Sequence, residues 1–181
     1  MNMEASAKSQ SQTQTRFGTG GRGGARGGGR GGNRARVDDE FDQKVLELAR
    51  VTRVMAGGKR MRFRALVIVG NHKGKVGMGL AKGADVSLAV DKAATRARKS
   101  LIVAPLRGAT IPHQITVKYK SAEVMLKPAP VGTGIIAGGP VRVVLEAAGV
   151  PNVVSKILGS NNKVNNVRAV LKAFASFKLV K

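Results

Sequence analysis

No cysteine occurs in the chain, which excludes disulfides, thiolate catalysis and cysteine-ligated zinc. There is no tryptophan and 1 tyrosine, and aromatics make up 3% of the residues, so a core has to be built from Val, Ile, Leu, Ala and Met. The same scarcity argues against a membrane-surface partner, which calls for an amphipathic helix with bulky apolar anchors. No apolar run is long enough to span a bilayer. The polar N-terminus has no apolar segment of signal-peptide type, so the sequence predicts no secretion and fits a reducing cytosol. Acidic residues are scarce as well. Against 10 Asp+Glu stand 32 Lys+Arg, a net charge of +22 on 181 residues. That excess repels itself unless a polyanion neutralises it, and nucleic acid is the polyanion it fits best.

What remains is 43% hydrophobic, enough for one ordinary domain or two small ones plus a tail. Residues 1–36 form the tail: Ser, Gln and Thr first, then GTGGRGGARGGGRGGNRAR. It has nothing apolar to offset the entropy of ordering and is expected to be disordered in isolation. Arginines spaced by glycine resemble segments that follow single-stranded nucleic acid; the plainer reading is a solvated extension. The acidic patch VDDEFD (37–42) is read as a boundary or a helix start, without a catalytic carboxylate pair.

Residues 44–55 (KVLELARVTRVM) have no clean apolar face and are ambiguous between helix and strand, with Val51, Thr52 and Val54 favouring strand in the second half. A glycine turn with a basic tip follows at 56–60. In 61–69 (MRFRALVIV) Met61, Phe63, Ala65, Val67 and Val69 share one face. Arg62, Arg64, Leu66 and Ile68 share the other, as in a central strand. Residues 75–80 return as a third strand whose Gly77 and Gly79 leave backbone thin enough for close approach, which we read as room for RNA. Residues 84–102 are predicted helical, with Val86, Ala89, Ala93, Ala97 and Leu101 as the apolar stripe. Lys92, Arg96 and Lys99 lie one turn apart opposite it. These three are either a solvated face or phosphate contacts. A three-stranded antiparallel sheet followed by one helix is the layout of double-stranded-RNA-binding modules, which read A-form shape.

A second unit is predicted from about residue 108: strands 111–120 and 122–127, a loop, a helix 140–148 with Pro140 first and Gly149 just after, a strand 152–158 and a helix 162–177. The fold class is therefore α+β. An N-terminal β-β-β-α double-stranded-RNA-binding-like domain (37–107) precedes a β-β-α-β-α two-layer sandwich (108–181).

Several patterns imitate nucleotide sites without completing them. Gly132-Thr133-Gly134-Ile135-Ile136-Ala137 fits G-x-G-x-x-A, but prolines interrupt the approach and no acid follows for a ribose. Gly70 to Lys75 is one spacer short of a P-loop and has Val76 where a hydroxyl is needed. His72 and His113 lie in different units without neighbours at metal-ligand spacing. His72, in a basic turn, is a candidate phosphate contact, and His113 a structural residue. The sequence thus predicts no catalytic, cofactor or metal site and no small-molecule substrate.

Gly58-Lys59, Phe63, the run Leu66-Val67-Ile68-Val69-Gly70-Asn71 and the run Gly74-Lys75-Val76-Gly77-Met78-Gly79 resemble the signature of the small-subunit ribosomal protein S5 family. GTGIIAGG, VLEAAGV and GSNNKVNNVRA in the second unit are similar to the same family, and the resemblance covers about 44–174. It implies a two-domain structural protein of the small ribosomal subunit in the cytoplasm, without a reaction of its own. The second domain would contain a left-handed crossover. The implied partners are small-subunit rRNA, ribosomal proteins four and eight, and mRNA near the channel by which it enters. The family's first loop reaches the head–body hinge and borders the spectinomycin site; residues 52–60 take that place here, with Ala56 where a basic residue is common. The expected RNA contacts are Arg50, Arg53, Gly57, Gly58, Lys59, Arg60, Arg62 and Arg64 on this hairpin. Beyond it they are His72, Lys73, Lys75 and Lys82, and on the helix Lys92, Arg96 and Lys99. Gly132, Thr133, Gly134, Gly138, Gly139 and Arg142 resemble the protein-facing surface tied to decoding accuracy. A free-standing RNA chaperone or double-stranded-RNA binder is the alternative, encouraged by the tail.

Overall fold

The computed structural model describes residues 40–177, so the readings of the Gly/Arg-rich tail and of residues 37–39 lie outside the described residues. Strands β1 (Asp42–Met55), β2 (Gly58–Gly70), β3 (Lys75–Gly83) and β4 (Leu101–Val103) form an antiparallel sheet in that order. β1 is a strand over its whole length. A bulge between Val45 and Glu47 inverts the alternation of side chains, which is why no single apolar face could be read there. Leu46, next to that bulge, packs partly buried against the core.

Helix α1 (Val86–Lys99) covers one face of this sheet through Ala89, Ala93 and Ala97, all fully buried against Ala65, Val67 and Val69. Small residues on both sides let the backbones come close. A Cβ on Gly79 would collide with the Ala93 carbonyl, so the glycine face of β3 is filled by α1 rather than left open to RNA, which corrects the expectation for Gly77 and Gly79. The helix is also shorter than predicted. Ser100 ends it, its Oγ donating to the Met78 and Arg96 carbonyls at 3.0 and 3.2 Å. The β-branched Ile102 and Val103 then pair with β3 as a fourth strand.

The second sheet has the order β5-β6-β8-β7, built from β5 (Ile115–Tyr119), β6 (Ala122–Pro128), β7 (Ile135–Ile136) and β8 (Val153–Ile157). β5 starts four residues later than predicted; Ile111 is instead a core side chain, 1% exposed. The short β7, read from the sequence as loop, pairs parallel with β8. Helix α2 (Gly139–Ala148) has Pro140 in its first turn and ends on Gly149 at φ 77°, in the left-handed region that suits glycine. Helix α3 (Lys163–Ser176) is capped by Asn162, whose Oδ1 accepts from the Val164 and Asn165 amides.

α2 and α3 both touch strands of the two sheets. Ile68 and Val76 of the first sheet therefore share one core with Leu126, Val144, Leu145, Val167 and Phe174 of the second unit. Each fully buried Ile or Leu there contributes about 1.5–3 kcal/mol, so the junction between the sheets is held by the same burial that holds each sheet. His113 stacks edge-on to Phe177, centroids 5.2 Å apart, consistent with a structural role.

Candidate nucleic-acid interface

β3 accompanies β2 only as far as the pair Phe63↔Gly83. Beyond it β1 and β2 continue alone, from Val51↔Arg62 to Met55↔Gly58, as a two-stranded ribbon reaching about 17 Å past the sheet. The turn is Ala56-Gly57, followed by Gly58 at φ 120°, and every residue from 52 to 62 is exposed. Directly opposed residues of antiparallel strands point to the same face, so Arg53, Arg60 and Arg62 share one face. With Lys82 they line a hollow of about 320 Å³. Thr52, Val54, Lys59 and Met61 are on the other face, Val54 being 71% exposed. Arg53 and Arg60 are direct cross-strand partners, an arrangement of like charges that destabilises an isolated ribbon and that a phosphate between them would relieve.

Farther down the same face stands Arg64, opposite Lys82. Glu47 holds it at 3.3 Å, with both side chains about one-third exposed or less, so its guanidinium is oriented without being withdrawn from solvent. Arg64, Lys82 and Arg96 line a second hollow. Arg96 donates to the Leu80 carbonyl at 2.6 Å on the stretch of β3 that β4 does not pair, and so is fixed to the sheet edge from α1. Lys92 and Lys99 are exposed on the same helix.

His72, Lys73 and Lys75 lie at the opposite end of β2, about 40 Å along this 13-residue strand from Gly58. The structure does not bring them to the ribbon. The Asn71 Oδ1 accepts from the amides of Lys73 and Lys75, shaping the turn. His72 has φ 53°, and its Nδ1 lies 2.7 Å from the Glu146 carbonyl, which can only accept; Nδ1 is therefore the donor. Nε2 sits 3.7 Å from Asp42. The His72 ring thus faces protein partners at the junction between the sheets. Glu146 is the hub of that junction, salt-bridged to Lys44 at 3.0 Å and to Arg142 at 2.9 Å. The Lys44 hydrogen bond, and after it that of Arg142, hold its carboxyl below the usual carboxylate range.

The expected protein-facing residues come together around α2. The amides of Gly132 and Gly134 both donate to Asn152 Oδ1 at 3.1 Å, and the Gly134 carbonyl accepts from Val153. The donors that a phosphate would need in this glycine pattern are therefore taken by a side chain. Thr133 closes a turn onto Pro130, and the Gly138 carbonyl, just before α2, accepts from the amide of Arg142. Gly139 opens the helix, and beside this loop Val131 and Ile136 are 85% and 54% exposed. Sequence reasoning missed Asn152 and Glu146. Glu146 lies inside the quoted run VLEAAGV but no role was read from it, and for Asn152 an Asn just after Pro151 at a strand start was the one local signal. Among the described residues no group of His and acids is placed to hold a metal ion, and no helix is long and apolar enough to cross a membrane.

Comparison with known proteins gives a consistent result. The family description "Ribosomal protein S5, N-terminal domain" matches residues 41–105, and "Ribosomal protein S5, C-terminal domain" matches 117–181. Small ribosomal subunit protein uS5 of Treponema pallidum (strain Nichols) is 49% identical over 138 residues, 76% of this chain and 80% of that one. Its counterpart in Campylobacter jejuni (strain RM1221) is 46% identical over 140 residues, 77% of this chain and 95% of that one. The protein uS5c of Spinacia oleracea is 49% identical over 144 residues; the match takes in 79% of this chain and about half, 47%, of the spinach protein.

Proposed function

This chain belongs to the ribosomal protein S5 family, and from that premise we propose that its projecting ribbon is the element through which it braces small-subunit rRNA. The coarse function follows from the family: a structural constituent of the small ribosomal subunit, with rRNA as its ligand and no reaction of its own, at work on the ribosome in the cytoplasm. The finer reading assigns residues 52–60 to the head–body hinge of the rRNA, beside the spectinomycin site. It assigns the loop and first turn from Gly132 to Arg142 to neighbouring ribosomal proteins four and eight and to decoding accuracy, with mRNA passing nearby as it enters.

The observation that carries this reading is the ribbon itself. It extends past the last strand that could support it, has every residue from 52 to 62 exposed, and sets two arginines directly opposite each other. Folding alone gives no reason for such an element, whereas phosphate contacts do. The exposed apolar residues Val131 and Ile136 beside the Gly132–Gly139 region support the protein-facing assignment in the same way. Charge reversal tests the hinge role. Lys59→Glu/Arg60→Glu should leave the fold intact while changing spectinomycin sensitivity or the subunit profile on sucrose gradients. Normal drug response and normal profiles in that variant count against the assignment, and recovery of the parent chain mainly in ribosome-free fractions counts against a ribosomal role altogether.

A further inference from the structure

The ribbon hollow and the hollow beneath it share Lys82, and the latter shares Arg64 with a third hollow of about 430 Å³ that opens onto the second unit. From this chain of shared walls we infer that one continuous cationic groove carries an rRNA sugar–phosphate backbone from the ribbon across Arg64 to Lys120, Lys163 and Arg168. The inference rests on the rRNA-binding reading and extends it to three residues outside the RNA contacts expected from sequence, two of which, Lys163 and Arg168, lie in the run GSNNKVNNVRA.

The third hollow is walled by Arg64, Lys120, Lys163 and Arg168 against a single carboxylate, Glu47, already engaged with Arg64. Its other polar walls are Asn161, Asn162 and Asn165, neutral groups suited to sugar hydroxyls and phosphate oxygens. Arg168 is fixed before any ligand arrives. Its Nη1 lies 3.1 Å from the Tyr119 hydroxyl, and its guanidinium lies over the Tyr119 ring, 5.7 Å from the centroid. A planar guanidinium held in this way presents its remaining donors in one orientation. Lys120 opens the two-residue turn between Tyr119 and Ala122 at φ 54°, a position where glycine is the residue that fits without strain. A lysine there costs about 1 kcal/mol of backbone strain. The charge gained at the mouth of the groove is a physical reason for keeping it.

α3 adds the positive end of its dipole beside Lys163. Its amides at Val164 and Asn165 are already satisfied by Asn162, so the side chains, rather than the helix end, supply the contacts. The shape selects the ligand class. A small anion needs one enclosed pocket, whereas hollows joined end to end with cations along their length fit a polymer of regularly spaced negative charge.

The test uses the full chain and a transcript of bacterial small-subunit rRNA, with affinity measured over a range of salt. Lys120→Gln/Lys163→Gln should fold normally by thermal melting and lower the slope of log K against log [salt] by about 1–2, since each lost phosphate contact removes about 0.9. Lys127→Gln/Lys156→Gln removes the same charge from exposed positions on β6 and β8 that line none of the hollows, and should change the slope by clearly less. Equal losses in the two pairs reduce the effect to net charge and overturn the groove. An unchanged slope in Lys120→Gln/Lys163→Gln, alongside a reduced one in Lys59→Gln/Arg60→Gln, overturns the groove and leaves the ribbon's role intact. No effect in either of those pairs removes the RNA-binding reading itself. A loss seen with oligouridylate but not with the rRNA transcript assigns the groove to a passing single strand and overturns the proposal.

Discussion

Glu146 gathers three partners from different parts of the chain: Lys44 on β1, Arg142 one turn earlier on α2, and the His72 ring at its own carbonyl. Because its carboxyl is held below the usual range in the folded protein, its contribution to stability is present above the unfolded pKa and is lost as the pH falls through the folded one. Glu146→Gln should therefore lower Tm near neutral pH, and the gap between the two Tm values should close as the pH falls through the lowered folded-state pKa, below which both side chains are neutral. A constant gap over that range in thermal melts contradicts the assignment. Gly149 is the backbone counterpart of the same junction. Its φ of 77° is strained for any other residue, and a Cβ there would strike the His72 carbonyl. Gly149→Ala should cost on the order of 2–4 kcal/mol, read as a fall in the denaturant midpoint. A midpoint within error of the parent shows that the junction gives way freely.

Among the elements, β1–β2 carries the proposed rRNA contacts and β3–α1 the packing. Gly79→Ala forces β3 off α1 and should lower Tm by several degrees without a specific change in RNA affinity at temperatures where it is folded. Arg53→Thr acts in the opposite sense. It removes the like-charge opposition to Arg60 and puts a strand-favouring residue on the ribbon, so Tm should stay level or rise slightly while rRNA affinity falls. A drop in both quantities means that the ribbon is supported by contacts other than those described. How far these elements could be read from sequence follows from whether their signals were local. β2 was legible because an alternating stretch runs in register into a continuous apolar one without a bulge, and α2 because Pro140 and Gly149 mark its ends. β1 was not, because one bulge at Val45/Glu47 reverses the alternation partway along it. β4 and β7 were missed because three and two residues hold no period, and only pairing with β3 and β8 makes them strands. The basic hairpin was visible as a candidate site, while its freedom from the sheet was not, since that depends on where β3 ends. The role of Gly77 and Gly79 was misread for a related reason: a glycine face shows that something comes close, and the tertiary structure decides what.

For the whole molecule, a net charge of +22 with 10 acidic residues is tolerable only with a polyanion at hand. The described residues distribute their share unevenly. The core between the sheets is apolar apart from buried Asn152, Ser155 and Asn166, while Arg53, Arg60, Arg62, Arg64 and Lys82 lie on one face of the first sheet. If the ribbon binds rRNA as proposed, stability and binding draw on different residues, and that separation is the central claim. It is tested most directly by the quadruple variant Arg53→Gln/Lys59→Gln/Arg60→Gln/Arg62→Gln, compared with the parent for Tm and for the salt dependence of binding to a small-subunit rRNA transcript. The account predicts a Tm within about 2 °C of the parent, as expected for exposed positions, and a salt slope smaller by about 3–4. An unchanged slope, or a loss of affinity that merely follows a collapse in Tm, contradicts it.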